Sequence, residues 1–173
     1  MGKLYEKMKA DLKLRGYCER TQRSYLYYAS RFVRHCGRSP VEMGKEDIRK
    51  FLLDRRSKGE SGSSLKMYTA AVRFLYGTTL GRPAEVAHIP WPKVVQQLPA
   101  VVSPDEVERL LGAIEPLGCR MVVMTAYGTG LRISEALRLT RNTVDLHTGV
   151  ISIPIAKFHR ARLVPLHHSV IDV

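Results

Sequence analysis

The residues with the clearest chemical potential stand in the segment Tyr127–Leu137, which reads YGTGLRISEAL. Arg132 follows a glycine turn at the start of a predicted helix, where a cation gains nothing from the helix dipole, and its neighbours Leu131 and Ile133 are apolar. A partly buried guanidinium needs an anionic partner, and it can bind a phosphate through two parallel hydrogen bonds. Glu135, three residues further on, could itself be that anionic partner. These residues are therefore equally compatible with a structural ion pair and with a site for an external anion.

A second basic segment lies between two predicted strands. Val150–Ile153 and Leu163–Leu166 are short and apolar, whereas the intervening PIAKFHRA is too polar for a core and is typical of a β-hairpin tip. Spacing alone makes Lys157 an exposed lysine of this tip without a special role. Arg160 and Arg162 are candidate phosphate contacts, with plain solvated cations as the alternative.

The sequence lacks the signatures of several other classes of site. Neither a GxGxxG nor a Walker A pattern is present, so no nucleotide-binding loop is predicted. Cys18, Cys36 and Cys119 lack the spacing of zinc ligands, and reduced thiols of a cytoplasmic protein are the simplest interpretation. No apolar run approaches the roughly 20 residues of a membrane helix. We therefore expect no cofactor, no metal and no membrane partner.

The net charge of +12 is unevenly distributed along the chain. Residues 1–81 contain 18 Lys and Arg against 8 Asp and Glu, a net of +10, whereas residues 82–173 contain 10 against 8, a net of +2. A basic half favours a polyanionic partner, because each phosphate that a cation neutralises releases condensed counterions. A solvated basic surface without a partner is the alternative, and the asymmetry favours nucleic acid.

The elements that would carry these cations are four amphipathic helices in the first half of the chain. Apolar residues at a spacing of three or four predict helices over residues 3–14, 19–35 and 45–58, and a fourth helix that begins after the turn Ser61–Ser64. Short helices with brief connections form a small bundle, with Arg55 and Arg56 pointing outward from the third helix. The candidate DNA contacts of this half are Arg20, Arg23, Arg31, Arg34, Arg55, Arg56 and Lys66.

A proline-rich stretch separates this bundle from the rest of the chain. Four prolines within residues 83–102 predict an extended linker, which leaves one domain at residues 1–82 and another at residues 103–173. Trp91 stands between two of the prolines. It is either a docking or base-stacking surface or a residue that packs on a neighbouring domain, and packing is the simpler interpretation.

The second domain opens on a strong helix start at Ser103, with proline at the first helical position and glutamate where a capping box requires it. Val107, Leu110 and Leu111 follow as its predicted buried face. Residues 119–127 are nearly all apolar and predict a buried helix. A further helix is predicted to begin within Leu131–Leu139, ahead of the two strands.

These motifs resemble those of the tyrosine recombinases, the phage integrase family that also includes Xer proteins and integron integrases. TGLRISEAL is similar to the family's first arginine motif, and IAKFHRARLVPL is similar to its β-hairpin, with Lys157 on the catalytic lysine. LPAVVSPDEVERLL resembles the linker and the first catalytic-domain helix. The resemblance covers essentially the whole chain. It implies a mostly α fold: an N-terminal four-helix core-binding (SAM-like) bundle plus a partial α+β catalytic domain with a β-hairpin.

The resemblance implies a role for each matched residue. Arg132 would bind the scissile phosphate and stabilise the charge of its transition state. Lys157 would protonate the departing 5′ oxygen as a general acid, although Ala156 and Phe158 replace the glycines that usually flank it. Glu135 would hold the active-site cations in place. Double-stranded DNA and other recombinase protomers are the implied partners.

The resemblance also implies that part of the catalytic set is missing. The family's His-x-x-Arg motif, its later His or Trp and its tyrosine nucleophile would all follow Val173, and each of the eight tyrosines of the chain precedes Lys157. We expect a C-terminally truncated member of the DNA integration and recombination lineage that binds DNA without cleaving or joining it alone. Its Val150, Ile151 and Ile153 would be partly exposed.

Two alternatives stay open. The chain could be a non-catalytic DNA-binding regulator or inhibitor of recombination. It could also be a helical interaction domain that binds no nucleic acid and whose basic face only solvates it.

Overall fold

The computed structural model describes residues 2–94, 98–154 and 161–166, and the chain forms two compact units, Met1–Leu98 and Pro99–Val173. Most of the described residues are helical, and a small antiparallel sheet lies in the second unit. The predicted mostly α fold with a β-hairpin is confirmed. No helix in these ranges is both long and apolar enough to cross a bilayer.

The first unit contains the four predicted helices: α1 Gly2–Leu14, α2 Glu19–Cys36, α3 Lys45–Ser57 and α4 Gly62–Phe74. Local chemistry sets their ends. Gly37 ends α2 in the left-handed region at φ 65°, where glycine carries no steric penalty, and Ser61 caps α4 by accepting a hydrogen bond from the Ser64 backbone N–H. A turn of π-helix, Leu75–Thr79, continues α4.

Aromatic rings form the centre of the first unit's core. The Phe51 ring packs edge-on against Phe32 and Tyr68, at centroid separations of 5.1 and 5.2 Å. All three rings are buried, and so are many residues of the apolar stripes that predicted the helices. The buried stripe residues include Met8, Leu12, Ala29, Ile48, Leu65, Val72 and Leu75, and Leu26 is buried with them.

The segment that follows the π-helical turn differs from the predicted extended linker. It forms a short helix, α5 Ala84–Ala87, and it buries Val86 and Ile89 in the core of the first unit. Pro83 precedes the first residue of α5, where the fixed φ of proline favours helix formation instead of preventing it. Glu85 accepts a hydrogen bond from the backbone N–H of Lys45 at the start of α3. This part of the proline-rich stretch is therefore packed structure.

The second unit contains α6 Pro104–Gly112, α7 Leu117–Thr129 and α8 Ile133–Ala136, followed by β1 Val144–Asp145, β2 Val150–Ile153 and β3 Arg162–Pro165. The strands pair antiparallel in the order β1-β2-β3, and Ile153 faces Arg162 in the register. The predicted capping box is present, because Ser103 Oγ accepts from the Glu106 backbone N–H and Glu106 Oε2 accepts from the Ser103 backbone N–H. The short strand β1 was not predicted.

The predicted burial of the second unit is wrong for α6, for α7 and for strand β2, whose Ile151 and Ile153 were expected to be partly exposed. Leu110 of α6 is exposed, and no residue of α7 is fully buried, although both helices were expected to bury apolar faces. Conversely, Ile151 and Ile153 are buried with Leu131. A helical pattern shows which face is apolar but not what covers it, whereas the hairpin residues pack on a small local core.

Candidate phosphate-binding site

The turn between α7 and α8 determines where Arg132 lies. Gly130 adopts a φ of 65° in the left-handed region and ends α7. Leu131 is buried in the core of the unit, and the next residue, Arg132, is the N-cap of α8. The apolar neighbour therefore anchors the turn, while the arginine side chain extends outward with 52% of its surface exposed.

A nearly buried carboxylate organises this turn. The side chain of Glu135 is 7% exposed, and Oε2 accepts hydrogen bonds from the backbone N–H of Arg132 at 2.9 Å and from Nη2 of Arg162 at 2.8 Å. Oε1 accepts from Nη1 of Arg132 at 2.9 Å. The backbone hydrogen bond, followed by the Arg132 guanidinium and the charge of Arg162, holds the pKa of Glu135 below its usual value despite its burial. Glu135 is therefore an ionised acceptor at neutral pH.

The guanidinium of Arg132 is only partly used by this ion pair. Nη1 donates to Glu135, whereas Nε and Nη2 make no hydrogen bond to any residue in the described ranges. A guanidinium presents its donors in a planar fork, and the unused edge fits two oxygens of a phosphate. Two arginines share one carboxylate here, so the cluster retains positive charge. The arrangement can thus be an ion pair and an anion site at once.

Of the predicted site residues in the hairpin, the structure describes Arg162. Lys157 and Arg160 lie outside the described residues. Arg162, expected as a phosphate contact, donates to Glu135 across 27 positions of sequence. Its partner in the β-ladder is Ile153, and this is the last pair of the ladder before residues 155–160, which include Lys157.

Four candidate DNA contacts share one face of α2. Their spacings of three, eight and three residues repeat on the same side of an α-helix, opposite the buried Leu26, Ala29 and Phe32. All four side chains belong to exposed residues. We call this set the α2 arginine face: Arg20, Arg23, Arg31 and Arg34.

Sequence reasoning overlooked one aromatic residue within the α2 arginine face. Tyr27 lies four residues before Arg31 and is 54% exposed. Arg31 Nη1 donates to the Tyr27 hydroxyl at 3.0 Å, and the guanidinium carbon lies 5.8 Å from the centre of the ring. Its position among arginines on a helix face, and not its residue type, was the available signal.

The other candidate contacts of the first unit differ in exposure. Arg56 and Lys66 are exposed, but the expected outward position of Arg55 is wrong. The Arg55 side chain is 13% exposed and donates to Asp54 Oδ2 at 3.0 Å and to Nδ1 of His35 at 3.1 Å. Its alkyl stem lets it lie inward while the guanidinium keeps polar partners, which a helical pattern alone does not reveal.

Trp91 packs on its own unit without being covered. The guanidinium carbon of Arg73 lies 5.1 Å from the centre of the indole ring, and Arg73 also donates to the backbone carbonyl of Ile89. The ring remains 53% exposed. The contact with Arg73 agrees with packing, and the exposed part leaves room for a base or a partner.

An open, mostly apolar groove of about 440 Å³ lies between α6 and α7, lined by residues that include Val107, Leu111 and Met124. Across the described ranges, no three His, Cys, Asp or Glu side chains come together as a metal site would require. The Arg132 cluster is therefore the strongest candidate for chemistry.

The chain is similar to integrases over nearly its full length. A model of the phage integrase N-terminal SAM-like domain matches residues 4–85, and a model of the phage integrase family matches residues 100–173. A putative integrase/recombinase of Sinorhizobium fredii is 36% identical, over 100% of this chain and 57% of the relative. The tyrosine recombinase XerA of Thermococcus kodakarensis is 32% identical, over 96% of this chain and 58% of the relative.

A solved structure shares the fold. A lambda integrase tetramer bound to a Holliday junction matches with a TM-score of 0.77 at 16% identity, over 98% of this chain and 52% of that chain. The chain thus spans a little more than half the length of these proteins.

Proposed function

The chain belongs to the phage integrase family of tyrosine recombinases, and on that premise we propose that it binds double-stranded DNA. The observation that carries the proposal is the α2 arginine face, which presents four exposed cations on the unit that holds most of the net positive charge. Arginines clustered on one helix face form the electrostatic footprint of a nucleic-acid-binding surface. Arg56 on α3 and Lys66 on α4 are also exposed and are further candidate contacts.

We propose that Arg132 contacts a backbone phosphate from the second unit. The guanidinium edge that no described residue uses supports this role, because paired N–H donors in a fixed plane suit two phosphate oxygens. Glu135 would hold that edge in position, and Lys157 would act as the general acid if a strand were cleaved. In this proposal residues 1–82 form the DNA-binding domain, residues 83–102 connect the two domains, and residues 103–173 contain the phosphate site.

We further propose that the polypeptide of 173 residues does not attach covalently to DNA. All eight tyrosines precede Lys157, and none matches the family's nucleophile. The lineage is that of DNA integration and recombination, carried out in the cytoplasm with other recombinase protomers. In this proposal the polypeptide binds DNA without forming a covalent bond to it.

Two experiments test the proposal. Fluorescence anisotropy with a labelled duplex, across a series of salt concentrations, should show an affinity whose logarithm falls by about 0.9 per decade of salt for each phosphate bound. Affinity that is absent or independent of salt would instead support a helical interaction domain. A suicide recombination substrate should give no protein–DNA adduct that survives denaturation. Such an adduct would contradict the inactive assignment.

A second candidate function is a regulator or inhibitor of recombination. The α2 arginine face favours it, because occupation of a target requires DNA binding alone. A regulator should protect an integrase target in footprinting and should compete there with a full-length relative. Protection of the target without competition would exclude inhibition by occupancy.

A further inference from the structure

We propose that Arg162 is a positioning residue: it holds Glu135 so that the β-hairpin and the guanidinium of Arg132 are oriented together. This inference rests on the proposed phosphate contact of Arg132. It differs from the phosphate contact that the sequence predicted for Arg162 itself.

The connection between the hairpin and the turn is carried by one side-chain contact. Arg162 begins β3 and pairs with Ile153 of β2, and its Nη2 lies 2.8 Å from Glu135 Oε2. Among the hydrogen bonds of the described residues, this is the one that joins residues 131–137 to strand β3. Strand β3, which follows Lys157 in the sequence, therefore begins at a residue that is bonded to the Arg132 turn.

Arg162 and Arg132 both donate to the Glu135 carboxylate, and through this shared acceptor Arg162 affects how many donors Arg132 has left. A carboxylate and a guanidinium readily form two parallel hydrogen bonds, which here would consume the unused edge of Arg132. Arg162 occupies Oε2 together with the Arg132 backbone N–H, and only Oε1 is left for the Arg132 guanidinium. Without Arg162, the carboxylate can rotate toward Arg132 and pair with it fully. Arg162 thereby keeps donors of Arg132 available for a phosphate.

The net charge of the cluster also supports a role of Arg162 in phosphate binding by Arg132. Glu135 with Arg132 alone is neutral, whereas the addition of Arg162 makes the cluster positive next to an exposed guanidinium. An anion such as a phosphodiester is attracted to the three-residue cluster and gains little from a neutral pair. A plain structural salt bridge would stabilise the unit without changing the response of Arg132 to an anion, and this difference is measurable.

Nuclear magnetic resonance of the full chain tests the inference, with dimethyl phosphate as a diester probe. The readouts are the pH titration of the Glu135 side-chain carbon and the shift of the Arg132 Nε–H resonance as the probe is added. Arg162→Gln should raise the pKa of Glu135 and weaken the binding of the probe about tenfold, roughly the effect of one charge-assisted hydrogen bond. Arg162→Lys, which keeps the charge and a donor, should recover most of both.

Arg141→Gln is the matched control, because Arg141 is exposed and makes no hydrogen bond to Glu135. If Arg162→Gln moves neither readout beyond this control, the positioning role is wrong. If the wild-type Arg132 resonance does not respond to the probe, the proposed phosphate contact is wrong instead. Should Arg162→Gln fail to fold, the wild type still decides: the Arg162 guanidinium resonances must follow the protonation of Glu135, and independence would overturn the inference.

Discussion

The carboxylate of Glu135 accepts two hydrogen bonds of 2.9 Å from Arg132, one from the backbone N–H of the arginine and one from its guanidinium Nη1. The first bond satisfies an N–H at the start of α8, and the second fixes the side chain. One carboxylate thus determines both where this arginine lies and how it points. The arrangement makes the local stability of the second unit and the availability of Arg132 depend on the same residue.

Glu135→Gln should destabilise the second unit. The amide has nearly the same size but offers only one acceptor oxygen to three donors, and a nearly buried polar group without its partners costs about 1–3 kcal/mol. Hydrogen exchange at the amides of residues 131–153 should become faster, while exchange in the first unit stays unchanged. Glu108→Gln, an exposed change on α6, is the matched control. Equal protection in both variants would show that Glu135 does not hold the turn.

The stability of the second unit should depend on pH through Glu135. Because folding lowers the pKa of this carboxyl, its contribution is complete above the usual glutamate value of about 4.3 and is lost as the pH falls through the lower folded value. Hydrogen exchange of residues 131–153 should therefore accelerate in that acid window. Glu135→Gln should remove this part of the dependence, and an identical acid profile in wild type and variant would contradict it.

Ile89→Ala should destabilise the first unit, because Ile89 packs in its core although it lies in the proline-rich stretch. Truncating a buried aliphatic side chain to alanine costs about 2–5 kcal/mol. Chemical denaturation, followed by the helical signal of the first unit, measures the decrease in stability. Leu98→Ala is the control, since Leu98 is almost fully exposed in the same proline-rich stretch. Indistinguishable decreases would mean that residues 83–89 form a linker after all.

Trp91 is the single tryptophan of the chain and reports on its own surroundings. If it packs on the first unit, as the contact with Arg73 indicates, its fluorescence should change little when duplex DNA binds. Arg73→Gln should shift its emission to longer wavelength, because the guanidinium that lies over the ring is removed. Strong quenching by DNA would instead identify a base-stacking surface.

Local signals made much of the fold predictable. Apolar spacing located α1 to α4, and Ser61 and Ser103 marked helix starts, because capping involves residues three positions apart. Burial was less predictable: Ile89 reaches a core formed by distant helices, and α7 packs on the core of its unit only through partly buried residues. Such facts depend on tertiary packing, which a periodic pattern does not contain.

In the candidate site, too, contacts between residues close in sequence were predictable and contacts between distant residues were not. Arg132 and Glu135 could be paired from their spacing of three residues. Arg162 could not be added, because its bond to Glu135 spans 27 positions and depends on the register of the hairpin. Arg55 was misplaced for a related reason, since His35, its partner, lies on another helix.

The central claim is that the α2 arginine face binds DNA, and the salt dependence of two charge-matched variants tests it most directly. One variant replaces Arg20, Arg23, Arg31 and Arg34 by glutamine, and the other replaces Lys3, Lys7, Lys9 and Lys13 of α1, which are also exposed. Log affinity falls as log salt rises, and the steepness of this fall should be smaller by about 0.9 for each phosphate that the variant no longer neutralises. We predict a much smaller slope for the α2 variant and a nearly unchanged slope for the α1 variant. Equal slopes in the two variants would show that overall charge, and not this face, governs binding.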